Sequence, residues 1–322
     1  MVATDTLIAQ SEKRRAASSS VLGAVTLTLL KVAVGAVTGS LGILAEAAHS
    51  ALDLVAALVT LFAVRASDKP ADEDHPYGHG KIENLSALFE TLLLLATCVW
   101  IIYEGVDRLL FKHAKVEASF WAFAVMVVSI LVDVSRSRML MRAARKHNSQ
   151  ALEADALHFS TDIWSSAVVI VGLFGVLLAG RIPKHASWLE QADSVAALGV
   201  ALIVVYVSIQ LGRRTLAALL DTAPAGLSER IRLAVDDLPG VTGCHNVRVR
   251  PSGPGLFVDI HIYVDGNEPL ASVHALTEVI EAKIAQLAPG ADVTVHPEPR
   301  PVEGADSPDP LPGTTHPLNE GK

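Results

Sequence analysis

Six stretches of the chain are apolar over long runs, at approximately residues 17–38, 42–65, 84–106, 117–141, 154–180 and 192–212. Each is long enough to cross about 30 Å of hydrocarbon as a helix rising about 1.5 Å per residue. The pattern therefore predicts six transmembrane helices. After the sixth the texture changes at "DTAPAGLSER", where Pro224 and Gly226 mark a junction. "LSERIRLAVDDL" has helical spacing of its apolar residues, "HNVRVR" and "LFVDIHIYV" alternate as strands do, and "SGPG" between them reads as a hairpin turn. "ASVHALTEVIEAKIAQL" is helical again and "ADVTVH" closes as a strand. The order αββαβ predicts a small α+β domain with its helices on one face of the sheet. From Pro299 onward Pro, Gly, Asp and Thr dominate without periodicity, which predicts a disordered tail. The expected organisation is an N-terminal segment at 1–16, a six-helix membrane domain at 17–214, a linker at 215–222, the α+β domain at 223–300 and the tail at 301–322.

Composition agrees: 51% of the 322 residues are hydrophobic, 19% are charged, and mean hydropathy is +0.40. The net charge of −8 argues against a nucleic-acid partner. Positive charge is unevenly placed. Lys13, Arg14, Arg15, Arg65, Lys69, Lys81, Arg136, Arg138, Arg142, Arg145, Lys146, Arg213 and Arg214 fall on one expected side, against Arg108, Lys112, Lys115, Arg181 and Lys184 on the other. By the positive-inside tendency both termini are expected in the cytoplasm. The first residues lack the short apolar core and cleavage site of a secretory signal, so a cleaved leader is not expected. Cys98 and Cys244 fall in different predicted domains and offer no disulfide framework.

Within the second and fifth apolar runs lie two matching polar stripes. In "AEAAHSALD" Glu46, His49 and Asp53 share one helix face, and in "ADALHFSTD" Asp155, His158 and Asp162 repeat the pattern position by position. An ionisable side chain facing lipid costs roughly 2.5–3.5 kcal/mol for Asp, so both stripes should turn inward and meet. His49, Asp53, His158 and Asp162 would then supply two imidazoles and two carboxylates, enough for a tetrahedral shell around a Zn²⁺-like cation. One such pair alone is as well explained by a His and Asp that hydrogen-bond each other; two inside membrane helices are not. Glu46 and Asp155, one turn away, are open between roles as supporting or proton-carrying groups and as packing residues.

The loop "DEDHPYGHGK" gathers Asp72, His75 and His79, with Pro76 and Gly78 shaping the turn between the histidines. A solvated acidic loop would look similar. In the α+β domain His245, His261, His274, His296 and Glu298 form a third set. His261 falls on the strand face opposite Ile260 and Ile262, and His274 precedes the stripe Leu276, Val279, Ile280 and Ile284, so the core demands neither. Scattered surface histidines remain the plain alternative. The chain has no "GxxxxGK[ST]" and no "HExxH", so an ATP-driven pump and an intramembrane zinc protease lack their working parts. A membrane metal sensor or another metal-dependent membrane enzyme remains open at this stage.

These residues resemble one family, the cation diffusion facilitators, over nearly the whole chain up to Glu298. "HSALD" and "HFSTD" are similar to the family's transport site, which implies His49, Asp53, His158 and Asp162 as ligands. "DEDHPYGHGK" resembles its first intracellular loop, implying Asp72, His75 and His79. "CHNVR", "DIHIYV", "SVHAL" and "VHPE" resemble its cytoplasmic site, implying His245, His261, His274, His296 and Glu298 as regulatory ligands. Lys81 and Asp221 resemble the charged pair at the hinge between the two domains. The chain departs from some bacterial members that carry Asp where it has His49, and from a close relative with Asp where it has Glu298. The resemblance implies a metallochaperone-like cytoplasmic domain, a homodimer in the bacterial inner membrane, and proton-coupled export of Zn²⁺, with Co²⁺, Cd²⁺, Fe²⁺ and Mn²⁺ as further cargo candidates.

Overall fold

The computed structural model describes residues 2–110, 120–179 and 186–300, in two compact units divided between Leu219 and Leu220. The tail expected to be disordered lies outside the described residues, as do Lys112, Lys115, Arg181 and Lys184 of the charge comparison.

The described residues of the first unit form six helices: α1 (Val2–Thr38), α2 (Leu41–Ser67), α3 (Lys81–Leu110), α4 (Phe120–His147), α5 (Gln150–Ala179) and α6 (Ala186–Leu219). Each coincides with one apolar run. Among the described residues, Thr6–Thr38, Glu46–Ser67, Lys81–Tyr103 and Leu198–Leu219 are long and apolar enough to cross a membrane. No comparable window is found in the described parts of α4 and α5; α4 carries Asp133, Arg136 and Arg138 inside its apolar stretch.

Two expected boundaries move. The polar segment at 1–16 is not separate, because α1 runs back to Val2. Ala, Lys, Arg, Glu and Gln are sound helix formers, and Lys13 is only 4% exposed, bound to Asp68 at 2.9 Å and Glu83 at 2.7 Å. At the other end α6 continues to Leu219, through much of the expected linker.

Small residues let the helices approach. Ala16, Ala17, Ala57, Val64, Ala144, Ala151 and Ala156 pack with Leu140, Leu152 and Phe159 in one cluster that joins α1, α2, α4 and α5. A Cβ added at Gly35 of α1 would lie 2.8 Å from Leu44 Cδ2 of α2. Leu22, Leu29, Phe62, Leu92, Trp100 and Leu131 stand outward, as side chains facing lipid do. Within the apolar runs Lys31, Asp53, Glu90 and Asp155 are buried instead.

The second unit follows the expected order: α7 (Leu227–Asp236), β1 (Gly243–Ser252), β2 (Gly255–Val264), α8 (Leu270–Leu287) and β3 (Asp292–Pro299). β1 and β2 pair antiparallel around a two-residue turn whose Gly253 has φ 57°, a backbone angle that favours glycine. β3 returns parallel to β2 with α8 as the crossover, giving the sheet order β1-β2-β3. Val258, Ile260, Ile262 and Val264 on β2 are buried against Ile231 and Val235 of α7 and Ile280 and Ile284 of α8. The period of two sends Asp259, His261 and Tyr263 to the opposite face. That face carries the histidines.

Candidate metal centres

In the membrane unit α2 and α5 bring their stripes together. Asp53 Oδ1 is 3.2 Å from His158 Nε2 and 3.9 Å from His49 Nε2, while Asp162 lies 3.8 Å from each histidine, Oδ1 to His49 Nε2 and Oδ2 to His158 Nε2. The four side chains thus form a ring of contacts from 3.2 to 3.9 Å, closed through both oxygens of Asp162; with one ligand atom from each residue, His49, Asp53 and Asp162 lie within 4.8 Å of one another. Ligands about 2.0–2.1 Å from a tetrahedral zinc are separated by roughly 3.3 Å; the 3.2 Å between Asp53 and His158 matches that spacing, and the other three contacts, at 3.8–3.9 Å, are longer. Asp53, His158 and Asp162 are largely enclosed, whereas the His49 side chain keeps 42% of its surface exposed. His158 Nδ1 is buried without a hydrogen-bond partner among the described residues. Its ring is set by packing instead, edge-on to Phe159 at 5.6 Å.

Glu46 and Asp155, the third members of the stripes, do not join the ring. Both reach α1: Glu46 Oε2 accepts from Lys31 Nζ at 3.3 Å, and Asp155 Oδ2 accepts from Ser20 Oγ at 3.2 Å. Arg136 of α4 donates to the same Ser20 and to Asp133, and lies 3.5 Å over the Phe159 ring. Arg136, expected among the cytoplasmic positive charges, is 4% exposed inside the bundle.

In the loop between α2 and α3, Asp72, His75 and His79 form a second group. Gly78 (φ 76°) allows a tight turn in which the Gly78 N–H donates to the His75 carbonyl and the Asp72 N–H to that same carbonyl. The His75 N–H returns a bond to Asp72 Oδ1 at 2.7 Å and holds that carboxyl below its usual range. His79 sets Nδ1 3.3 Å from the Pro70 carbonyl and Nε2 3.4 Å from Asp72 Oδ2. A proton on Nδ1, donated to that carbonyl, leaves Nε2 with its lone pair toward Asp72.

Strand register builds the third group. His245, His261 and His296 occupy one row across β1, β2 and β3. Glu298, two residues on along β3, reaches all three: 2.8 Å from Oε1 to His261 Nδ1, 3.4 Å from Oε2 to His245 Nε2, and 3.6 Å from Oε1 to His296 Nε2. The register of β1 shifts just after His245, where Asn246 adopts φ 49° and sets its amide 3.2 Å from His261 Nε2. Sequence reading missed Asn246; the only signal was an Asn, tolerant of a left-handed backbone, beside a strand histidine. His274 is not in this group. It sits on α8, 74% exposed, with Nε2 3.7 Å from Glu278 one turn away.

Two family models cover the chain: the cation efflux transmembrane domain matches residues 18–220 and the cation efflux protein cytoplasmic domain matches residues 224–300. Among curated proteins, the cation-efflux pump FieF of Cronobacter sakazakii is 32% identical over 291 residues, spanning 88% of this chain and 92% of that one. FieF of Klebsiella pneumoniae and of Salmonella arizonae are each 32% identical over 286 residues, with the same coverage. With both domains matched in order and the relatives aligned almost end to end, this chain belongs to the cation efflux family, the cation diffusion facilitators, a family of membrane transporters of metal cations rather than of enzymes.

Proposed function

We propose that the protein exports Zn²⁺ from the cytoplasm in exchange for protons, with His49, Asp53, His158 and Asp162 as the transport site. The observation that supports this most is the closed ring of two imidazoles and two carboxylates contributed in equal pairs by α2 and α5. Two nitrogens and two oxygens in a compact shell suit Zn²⁺ and also admit Co²⁺; Cd²⁺, Fe²⁺ and Mn²⁺ are competitors to be ranked. Imidazole and carboxylate bind metal only after losing a proton. A site facing the cytoplasm therefore loads metal, and the same site facing a more acidic exterior gains protons and releases it. In this reading the chain spans a bacterial inner membrane as a homodimer, with both termini cytoplasmic.

Asp72, His75 and His79 are proposed as a loop metal site. His245, His261, His296 and Glu298 are proposed as a cytoplasmic one that draws two small domains together and biases the membrane halves. His274 belongs to this set only if a second protomer or a shift of α8 brings it to the sheet.

The test is flux in proteoliposomes. Zn²⁺ movement should follow an imposed pH gradient, reverse with its sign and be inhibited by competing ions in order of site fit. Tight Zn²⁺ binding with no gradient-dependent movement would make the protein a sensor and end the proposal. For the cytoplasmic site, replacing His261 and His296 together by Ala should reduce Zn²⁺ affinity of the isolated 223–300 domain by at least about tenfold, while full-length flux falls only in part. Calorimetry showing unchanged stoichiometry and affinity would remove both histidines from the ligand set.

A further inference from the structure

Lys31 lies in the middle of the apolar run of α1, yet its neighbours Leu29, Leu30 and Val32 stand outward while Lys31 itself is 6% exposed. An ammonium in the membrane interior is costly, and it persists where it is paired and has work to do. Its Nζ donates to Ser50 Oγ at 2.8 Å and to Glu46 Oε2 at 3.3 Å. Those two residues flank His49 on α2, one turn before it and immediately after it. Thr28, one turn earlier on α1, bonds the Ser50 carbonyl at 3.0 Å, so α1 and α2 are fixed against each other at this level. Through Glu46 and Ser50 the ammonium is held beside His49, a member of the ring.

We propose that Lys31 is a fixed counter-cation of the membrane metal site, a positioning residue that lowers the affinity of the His49–Asp53–His158–Asp162 ring enough for a bound divalent cation to leave. The inference rests on the transport-site reading above. Two carboxylates facing two imidazoles make an anionic chamber, and a chamber that binds Zn²⁺ too tightly cannot turn over. A positive charge tethered beside the ring by Glu46 and Ser50 weakens the hold on any cation. Glu46 tempers that charge and, with its side chain 59% exposed, adjusts it from the accessible side. This gives the third member of the first stripe a role that the sequence left open.

The experiment measures KM and kcat for Zn²⁺ in proteoliposomes for K31M, K31R, E46Q and D162A. K31M keeps the length of the side chain and removes its charge; KM should fall about fivefold and kcat with it, because release slows. K31R should remain near wild type. E46Q removes the opposing negative charge and should raise KM about threefold. A merely structural Lys31 predicts lower kcat without a fall in KM, and no opposite shift in E46Q. An unchanged or raised KM in K31M overturns the inference, as does an unchanged KM in E46Q should K31M fail to fold. D162A separates the two levels: if it is silent while K31M behaves as wild type, only the counter-cation idea is lost. Wild-type flux from D162A would instead remove the transport site itself, and the inference with it.

Discussion

Replacing Asp162 by alanine is expected to abolish proton-driven Zn²⁺ flux while leaving a folded protein. Asp162 faces both histidines of the ring, as Asp53 does, but with a separate oxygen toward each, Oδ1 to His49 and Oδ2 to His158. Removing it opens two of the four sides at once. What remains, His49, Asp53 and His158, can hold Zn²⁺ only with a water in the fourth position, the open geometry of catalytic zinc rather than a closed shell. Disturbing groups that merely orient a ligand costs about 10–100-fold, so loss of a ligand should exceed about 100-fold in flux. Folding should survive because alanine removes a charge without leaving one stranded: each histidine retains Asp53, at 3.9 and 3.2 Å. The decisive comparison is flux against a monodisperse size-exclusion profile. Folded D162A that still moves Zn²⁺ at the wild-type rate would refute the ring as the transport site.

The ring was legible before the structure because its chemistry is local: a His and an Asp four apart share a helix face wherever the helix goes. Duplication of that spacing on a second helix then implied the meeting of α2 and α5. The histidine row of the small domain was legible only in part. Alternation put His261 on the open face, but which residues of β1 and β3 stand beside it depends on strand register. The shift after His245 that brings Asn246 to His261 has no periodic signature. The charges that hold α1 were not legible at all. Lys13 and Arg136 read as cytoplasmic anchors, and Lys31 carries no motif that singles it out. Their partners Glu83, Glu46, Ser50 and Ser20 lie on other helices at separations no local pattern encodes. An isolated lysine in a membrane run was the one available warning.

The second large effect is structural and concerns Glu83, at the start of α3. Its side chain is wholly enclosed and gathers three donors: Lys13 Nζ of α1 at 2.7 Å, Ser67 Oγ at the end of α2 at 3.1 Å, and Ser149 Oγ. Ser149 also caps α5, accepting from the Leu152 N–H at 3.4 Å. One carboxylate thus ties the ends of three helices, α2, α3 and α5, to the body of α1. Removing one partner of a buried ion pair costs about 3–5 kcal/mol, because the other charge is left enclosed. Lys13 retains Asp68 at 2.9 Å, so E83A should fall near the lower end, about 3 kcal/mol. Removing both charges is another matter. A Lys13→Met, Glu83→Met double variant leaves no ammonium stranded, and Asp68 keeps Arg14 at 3.0 Å. The double variant should therefore be more stable than E83A alone, which is the opposite of additive damage. Thermal unfolding of the detergent-solubilised protein checks the order: wild type highest, double variant between, E83A lowest. If the double variant instead unfolds below E83A, the stabilisation comes from the packing of these side chains rather than from their charges. Glu83 would then be an ordinary contact among four helices.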